Sequence, residues 1–222
     1  MQRIILGSEH ILDYVEDNIT SCLTGKLVVC DDRFHHNTKY KDALSVIENG
    51  ILPLSELNRL GIEEFDNDTI RAMDDIESHA NGSESISLAV VGLDDLNPDE
   101  FEYDPFSEKQ VDILITSEIV ARRVTTNYGN EFLSDKSIDV DKFRAIDTRL
   151  LAFVQTIRER KDVELIYDSV RELLHNYNRL RDIAYLLKKK KLDVPLREMS
   201  GNEELAIDVD KIASMPKVKI KC

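Results

Sequence analysis

Phe34-His35-His36-Asn37-Thr38-Lys39-Tyr40-Lys41-Asp42-Ala43-Leu44-Ser45-Val46-Ile47-Glu48-Asn49-Gly50-Ile51-Leu52-Pro53 passes from one kind of local order to another. Residues 34–38 read as a strand end or loop. From about Tyr40 to Asn49 the chain reads as a helix with Ala43, Leu44 and Ile47 turned inward. Gly50, followed by an apolar pair and Pro53, is a strong stop signal, because glycine takes the left-handed turn that ends a helix and proline cannot continue one.

Working outward, a first helix is expected from about Ser8 to Leu23, with Ile11, Leu12, Val15, Ile19, Cys22 and Leu23 on one face, Ser8 as the cap and Gly25 as the turn after it. A buried strand Lys26–Cys30 follows. Downstream, short helical pieces are expected around Leu54–Leu60 and Thr69–Ser78, then strands at Ser85–Val91 and Val111–Thr116. The long acidic connection between those strands holds Pro98 and Pro105, and a loop of that length in a compact domain is usually functional or disordered. From Asp147 the texture becomes helical, with apolar residues at helical spacing through Leu187 and then Lys188-Lys189-Lys190-Lys191, read as a cationic helix end. The expectation is an α+β fold with a β-core within residues 1–147 and a C-terminal helical segment over 148–222.

The 222 residues are 42% hydrophobic and 32% charged, a soluble globular composition. No apolar run is long enough to span a bilayer, and the apolar start of the chain ends after Leu6, too short for a signal-peptide core, so the cytoplasm is the expected compartment. Cys22, Cys30 and Cys222 have no paired spacing and argue against a disulfide framework or a zinc ribbon. His10, His79 and His175 lie in separate segments without ligand spacing, so no metal site is expected. No glycine belongs to a phosphate-cradling loop, and no HExxH or GxSxG is present.

The net charge of −14 is unevenly spread: residues 1–143 carry 12 Lys/Arg against 30 Asp/Glu, and residues 144–199 carry 13 against 9. Between Gly61 and Ser107 the only Lys or Arg is Arg71. Such a surface repels phosphates, which argues against tight duplex-DNA binding by the acidic half while leaving the mildly basic end open to a polyanion. Asp66-Asn67-Asp68 lacks the glycine and glutamate of a calcium loop.

Chemistry-bearing residues recur in a definite order. His36-Asn37-Thr38 precedes the helix that ends at Gly50; Ser85-Ile86-Ser87 follows; then come Tyr103-Asp104-Pro105, Tyr128-Gly129-Asn130-Glu131-Phe132-Leu133 and Phe143-Arg144-Ala145-Ile146. This order, over about residues 33–147, resembles the ADP-ribosyltransferase superfamily, where an H-x-T step on the first core strand precedes a helix ending in a glycine turn, a Ser/Tyr step follows, and a late glutamate completes the site. The resemblance implies a split, mixed β-core and NAD as co-substrate. It assigns His36 to hydrogen bonds with the NAD ribose and backbone, Thr38 to bracing that loop, and Ser87, or Ser85 on the same face, to supporting the glutamate. Tyr103 or Tyr128 would stack on nicotinamide, and Glu131 would be the catalytic carboxylate. The adjacent His35 leaves the histidine register open by one; in the His36 register His35 faces away and is solvated. Arg122-Arg123 are candidates for the pyrophosphate, with plain surface charge as the alternative.

Breaking the nicotinamide–ribose bond builds positive charge on the sugar, so a carboxylate fixed beside it lowers the transition state more than the ground state. Two departures from the pattern matter. Gly129 stands where transferases acting on arginine carry Gln or Glu, which speaks against arginine as acceptor, and Leu88 follows Ser87 where a threonine-serine pair is usual. The implied activity is mono-ADP-ribosylation of an unidentified macromolecular acceptor, protein or nucleic acid, in a toxin or phage-conflict role. The competing reading is an acidic interaction or inhibitor protein, a nucleic-acid mimic or partner-binding scaffold without catalysis.

Overall fold

A computed structural model describes residues 3–6, 10–29, 33–61, 86–89, 111–126, 129–134, 136–159, 163–200 and 203–220. The strands are β1 (Arg3–Leu6), β2 (Leu23–Lys26), β3 (Arg33–Thr38), β4 (Ile86–Ala89), β5 (Val111–Thr116), β6 (Arg122–Thr126), β7 (Gly129–Ser134), β8 (Phe143–Thr148), β9 (Leu196–Ser200), β10 (Glu203–Ile207) and β11 (Lys217–Ile220). The α-helices are α1 (Ile11–Cys22), α2 (Tyr40–Asn49), α3 (Leu54–Leu60), α4 (Leu150–Glu159), α5 (Val163–Lys190) and α6 (Val209–Ser214). The fold is α+β. Nine strands form one mixed sheet in the order β2-β10-β9-β8-β5-β3-β4-β7-β6, in which only β8 and β9 run parallel; β1 and β11 make a separate parallel pair.

Alternation in β5 sorts the two faces of the sheet. Val111, Ile113 and Ile115 are fully buried and join Ile146 of β8 and Leu196 of β9 in the core cluster, against the apolar sides of the helices. Each such branched side chain removed from water stabilises the fold by about 1.5–3 kcal/mol. The opposite face carries Leu114, Asp112, Ala145, Asp147 and Arg197, a mixed polar set.

α1 buries Ile11, Val15, Ile19 and Cys22, one helical stripe. α2 stops where the sequence says it must. Gly50 has φ +82°, and its N–H donates to Val46 O at 2.8 Å. Ile51 then exchanges hydrogen bonds with Ile138 at 2.9 and 2.8 Å, so the helix end is fastened to the segment just after β7. A Cβ on residue 50 would meet Ile138 O at 2.6 Å, which makes glycine obligatory there on two counts.

α5 is the long spine, burying Val170, Leu173, Leu174, Tyr177, Leu180, Ile183, Ala184 and Leu187 at helical spacing. The Tyr177 ring meets Tyr14 edge-on at 6.0 Å, and burial pushes its phenol well above the usual range. The lysines at its end do more than meet their own helix dipole. Lys190 Nζ donates to Glu48 O at 2.6 Å, capping α2, and Lys188 pairs with Asp210 at 2.6 Å.

Three sequence expectations change. The strand expected at Lys26–Cys30 forms earlier, at Leu23–Lys26, because the chain leaves α1 directly into pairing with β10; Gly25, expected as a helix-ending turn, lies inside that strand at φ +129°. Segment 148–222 is helical through Lys190 and again in the short α6, but its β9 and β10 belong to the same sheet as β2–β8, so the line between 147 and 148 divides one sheet. The described strands of the core are also not split: β2 to β6 are continuous through backbone pairing. The piece expected at Thr69–Ser78, Cys30 and the acidic connection lie outside the described residues.

Candidate active site

The three segments that the resemblance singles out are adjacent strands. β3 carries His35, His36 and Thr38, β4 carries Ser87, and β7 carries Glu131; they lie side by side in that order although about fifty residues of chain separate each from the next. Antiparallel register fixes which positions share a face. Leu114, His35, Ala89, Glu131 and Val124 form one transverse row across five strands. Ser87, two residues from Ala89, holds a position on the same face. His36 pairs with Ile113 and Thr38 with Val111, both on the helix-covered face, where the two are half-buried. The sheet thus brings Ser87 and Glu131 to the side of His35 and puts the His36–Thr38 pair on the other. Arg122 and Arg123 lie in β6, the edge strand, paired with Leu133 and Phe132. Ser85, Tyr103 and Tyr128 are outside the described residues.

His35 is not solvated. Only 8% exposed, it places Nδ1 2.6 Å from Asp112 Oδ2 on the neighbouring strand. An ionised carboxylate only accepts, so a contact of this kind places the hydrogen on Nδ1. The other carboxylate oxygen, Asp112 Oδ1, is buried and has no hydrogen-bond partner among the described residues. The sequence held a signal for this pair: Asp112 interrupts an otherwise apolar strand, on the opposite parity from Val111 and Ile113, and a carboxylate there needs a partner.

Next to it, on the same face, runs a fully matched polar cluster. Asp112 pairs in register with Asp147, and Asp147 with Arg197. Arg197, 0% exposed, donates from Nε and one terminal nitrogen to the two Asp147 oxygens, both at 2.7 Å, and from the other terminal nitrogen to Leu27 O at 3.0 Å and to Glu204. Burial works against the Arg197 charge, but the two carboxylates hold its pKa above the usual value. Burial also pushes Asp147 up against the pull of Arg197, with the nearby Asp112 charge adding to the rise.

Through the sheet, Glu198 is fully buried beneath α4. Its carboxyl accepts the Leu151 N–H at 2.7 Å, which satisfies an orphan donor at the helix start. Its second oxygen lies 2.7 Å from Thr148 Oγ1, which is also 2.9 Å from Arg197 O. Thr148 Oγ1 is the donor to both, and its one hydrogen is shared between the Glu198 carboxyl and Arg197 O. Burial pushes Glu198 up to about 7 despite the hydrogen bonds that favour its charge. These residues escaped the sequence reading because Leu196–Ser200 looks polar and its partners lie fifty positions away.

Chemically, the row offers an imidazole with a set tautomer and a carboxylate position two strands apart, a Cα separation of about 10 Å at ordinary strand spacing. Among the described residues no three His, Cys, Asp or Glu groups are arranged to hold a metal, and no helix is long and apolar enough to cross a membrane. The chain matches no family model, no curated protein and no solved structure.

Proposed function

We propose that the chain is an NAD-dependent ADP-ribosyltransferase-like enzyme whose essential carboxylate is Glu131. The observation that carries this reading is the adjacency of β3, β4 and β7: the three segments chosen by motif order alone are neighbours in space, with Ser87 and Glu131 on one face. A scaffold with no shared site has no need to bring them together. In this reading Glu131 supplies the negative charge that stabilises the ribose as the C1′–nicotinamide bond lengthens and positive charge builds on it. Of the paired histidines, this reading takes His35 as the imidazole on the same face, which its register beside Ala89 and Glu131 supports.

The test is incubation of the purified chain with adenylate-labelled NAD and cell extract, following free nicotinamide and label on protein, nucleic acid or ADP-ribose. Glu131→Gln keeps shape and removes charge, and is expected to lower nicotinamide release by about 10²–10³. NAD at a hundred times its dissociation constant should raise unfolding stability by about 2.7 kcal/mol. Absence of both effects in the wild-type chain defeats the reading and leaves the acidic interaction protein in its place. His36→Ala with turnover near wild type, beside a defective His35→Gln, supports the face assignment; the reverse overturns it.

A further inference from the structure

We propose that His35, its tautomer set by Asp112, is the general base that takes the proton of the incoming acceptor, and that this acceptor is a hydroxyl group. The inference rests on the ADP-ribosyl-transfer reading and specifies its second half. Three observations support it. The 2.6 Å contact puts Nδ1 against Asp112 Oδ2, and in a neutral imidazole whose Nδ1 donates there, Nε2 is the nitrogen that accepts a proton. The row register puts this imidazole on the face and at the level of Glu131, across Ala89. Among the described residues no donor reaches the buried Asp112 Oδ1, so there the acceptor strength of the carboxylate acts on the imidazole. A purely structural clasp between β3 and β5 gains nothing from leaving that oxygen unmatched, and a buried unmatched oxygen is destabilising.

The step balances. The acceptor oxygen forms a bond to C1′ as the C1′–N bond breaks, and that electron pair leaves with neutral nicotinamide. The hydroxyl proton passes to Nε2, giving an imidazolium stabilised by Asp112 as in a carboxylate-oriented histidine. A hydroxyl is a poor nucleophile until it sheds its proton, so a base contributes about 10²–10⁴ here. Gly129, in place of the side chain that marks arginine-directed transferases, is consistent with an uncharged acceptor.

The test uses the full chain and two near-isosteric variants, His35→Gln and Asp112→Asn, checked for folding by thermal unfolding. Both are expected to lose at least a hundredfold in kcat for nicotinamide release, with KM for NAD changed by less than threefold. Sodium azide is the deciding probe, because it is a nucleophile that brings no proton. Azide should restore release in both variants, with ADP-ribosyl azide as product, and should not restore it in Glu131→Gln. Variants that turn over normally, or that are slow and unmoved by azide, overturn the base assignment while the transferase reading stands. A wild-type chain that never cleaves NAD overturns both, so the two failures are distinguishable.

Discussion

Two clusters of buried polar groups lie on the same face of one sheet and end differently. In the cluster around Arg197, each nitrogen of the guanidinium has a partner and both Asp147 oxygens are engaged. In the row of His35, one carboxylate oxygen of Asp112 meets the imidazole Nδ1 and the other has no hydrogen-bond partner among the described residues. The difference teaches how to read buried charge. A closed network holds strands in register, because removing any member strands a charge in a dry interior. An open one keeps an unmet bond, and an unmet bond in a native interior is where a ligand or a proton transfer belongs.

The sharpest way to break the comparison is Arg197→Met. It leaves Asp147 and Glu204 without their cation, and a loss of about 3–5 kcal/mol in urea unfolding is expected. A change below 1 kcal/mol would show that the closed network is not what holds β8, β9 and β10 together. Glu198 gives the next effect and has a defined sign. Its folded pKa of about 7 lies above the usual carboxylate value, so between roughly pH 4.5 and 7 the folded state keeps a proton that the unfolded state has shed. Stability should be greatest below that window and fall by about 3 kcal/mol as pH rises through it. Glu198→Gln should flatten the slope, as read from denaturant midpoints at a series of pH values.

Gly50→Ala tests the fastening of α2 to the segment behind β7, and a loss of about 1–3 kcal/mol is expected from the positive φ and the clash with Ile138 O. It should lower the melting temperature; unchanged melting would mean that the Ile51–Ile138 bridge relaxes at no cost. Asp112→Asn should have the smallest effect on stability, about 1 kcal/mol or less, since the contact to His35 survives in neutral form. A loss as large as that of Arg197→Met would make the row as structural as the network beside it and erase the distinction.

Where local signals suffice, sequence and structure coincide. The helix at Tyr40–Asn49, the helix at Leu54–Leu60 and the strand at Val111–Thr116 stand where spacing, a glycine stop and an apolar run place them. What stayed hidden depends on partners far away in the chain. Arg197 and Glu198 read as surface charge until Asp147 and Thr148 are opposite them, and His35 reads as solvated until Asp112 is. β6 and β7 escaped for another reason: Arg122-Arg123 and Asn130-Glu131 mask the alternation that marks a strand.

The placement of β9 between β8 and β10 has a consequence for how the chain reaches this state. β2 is made early but pairs with β10, and one edge of β8 waits for residues 196–200. Long loops must therefore close before those contacts reward the closure, which slows folding and leaves strand edges bare meanwhile. During synthesis the half of the sheet that carries Glu131 can assemble first. The polar cluster at Arg197 is then the last piece, a latch that shuts only once β9 and β10 have been made.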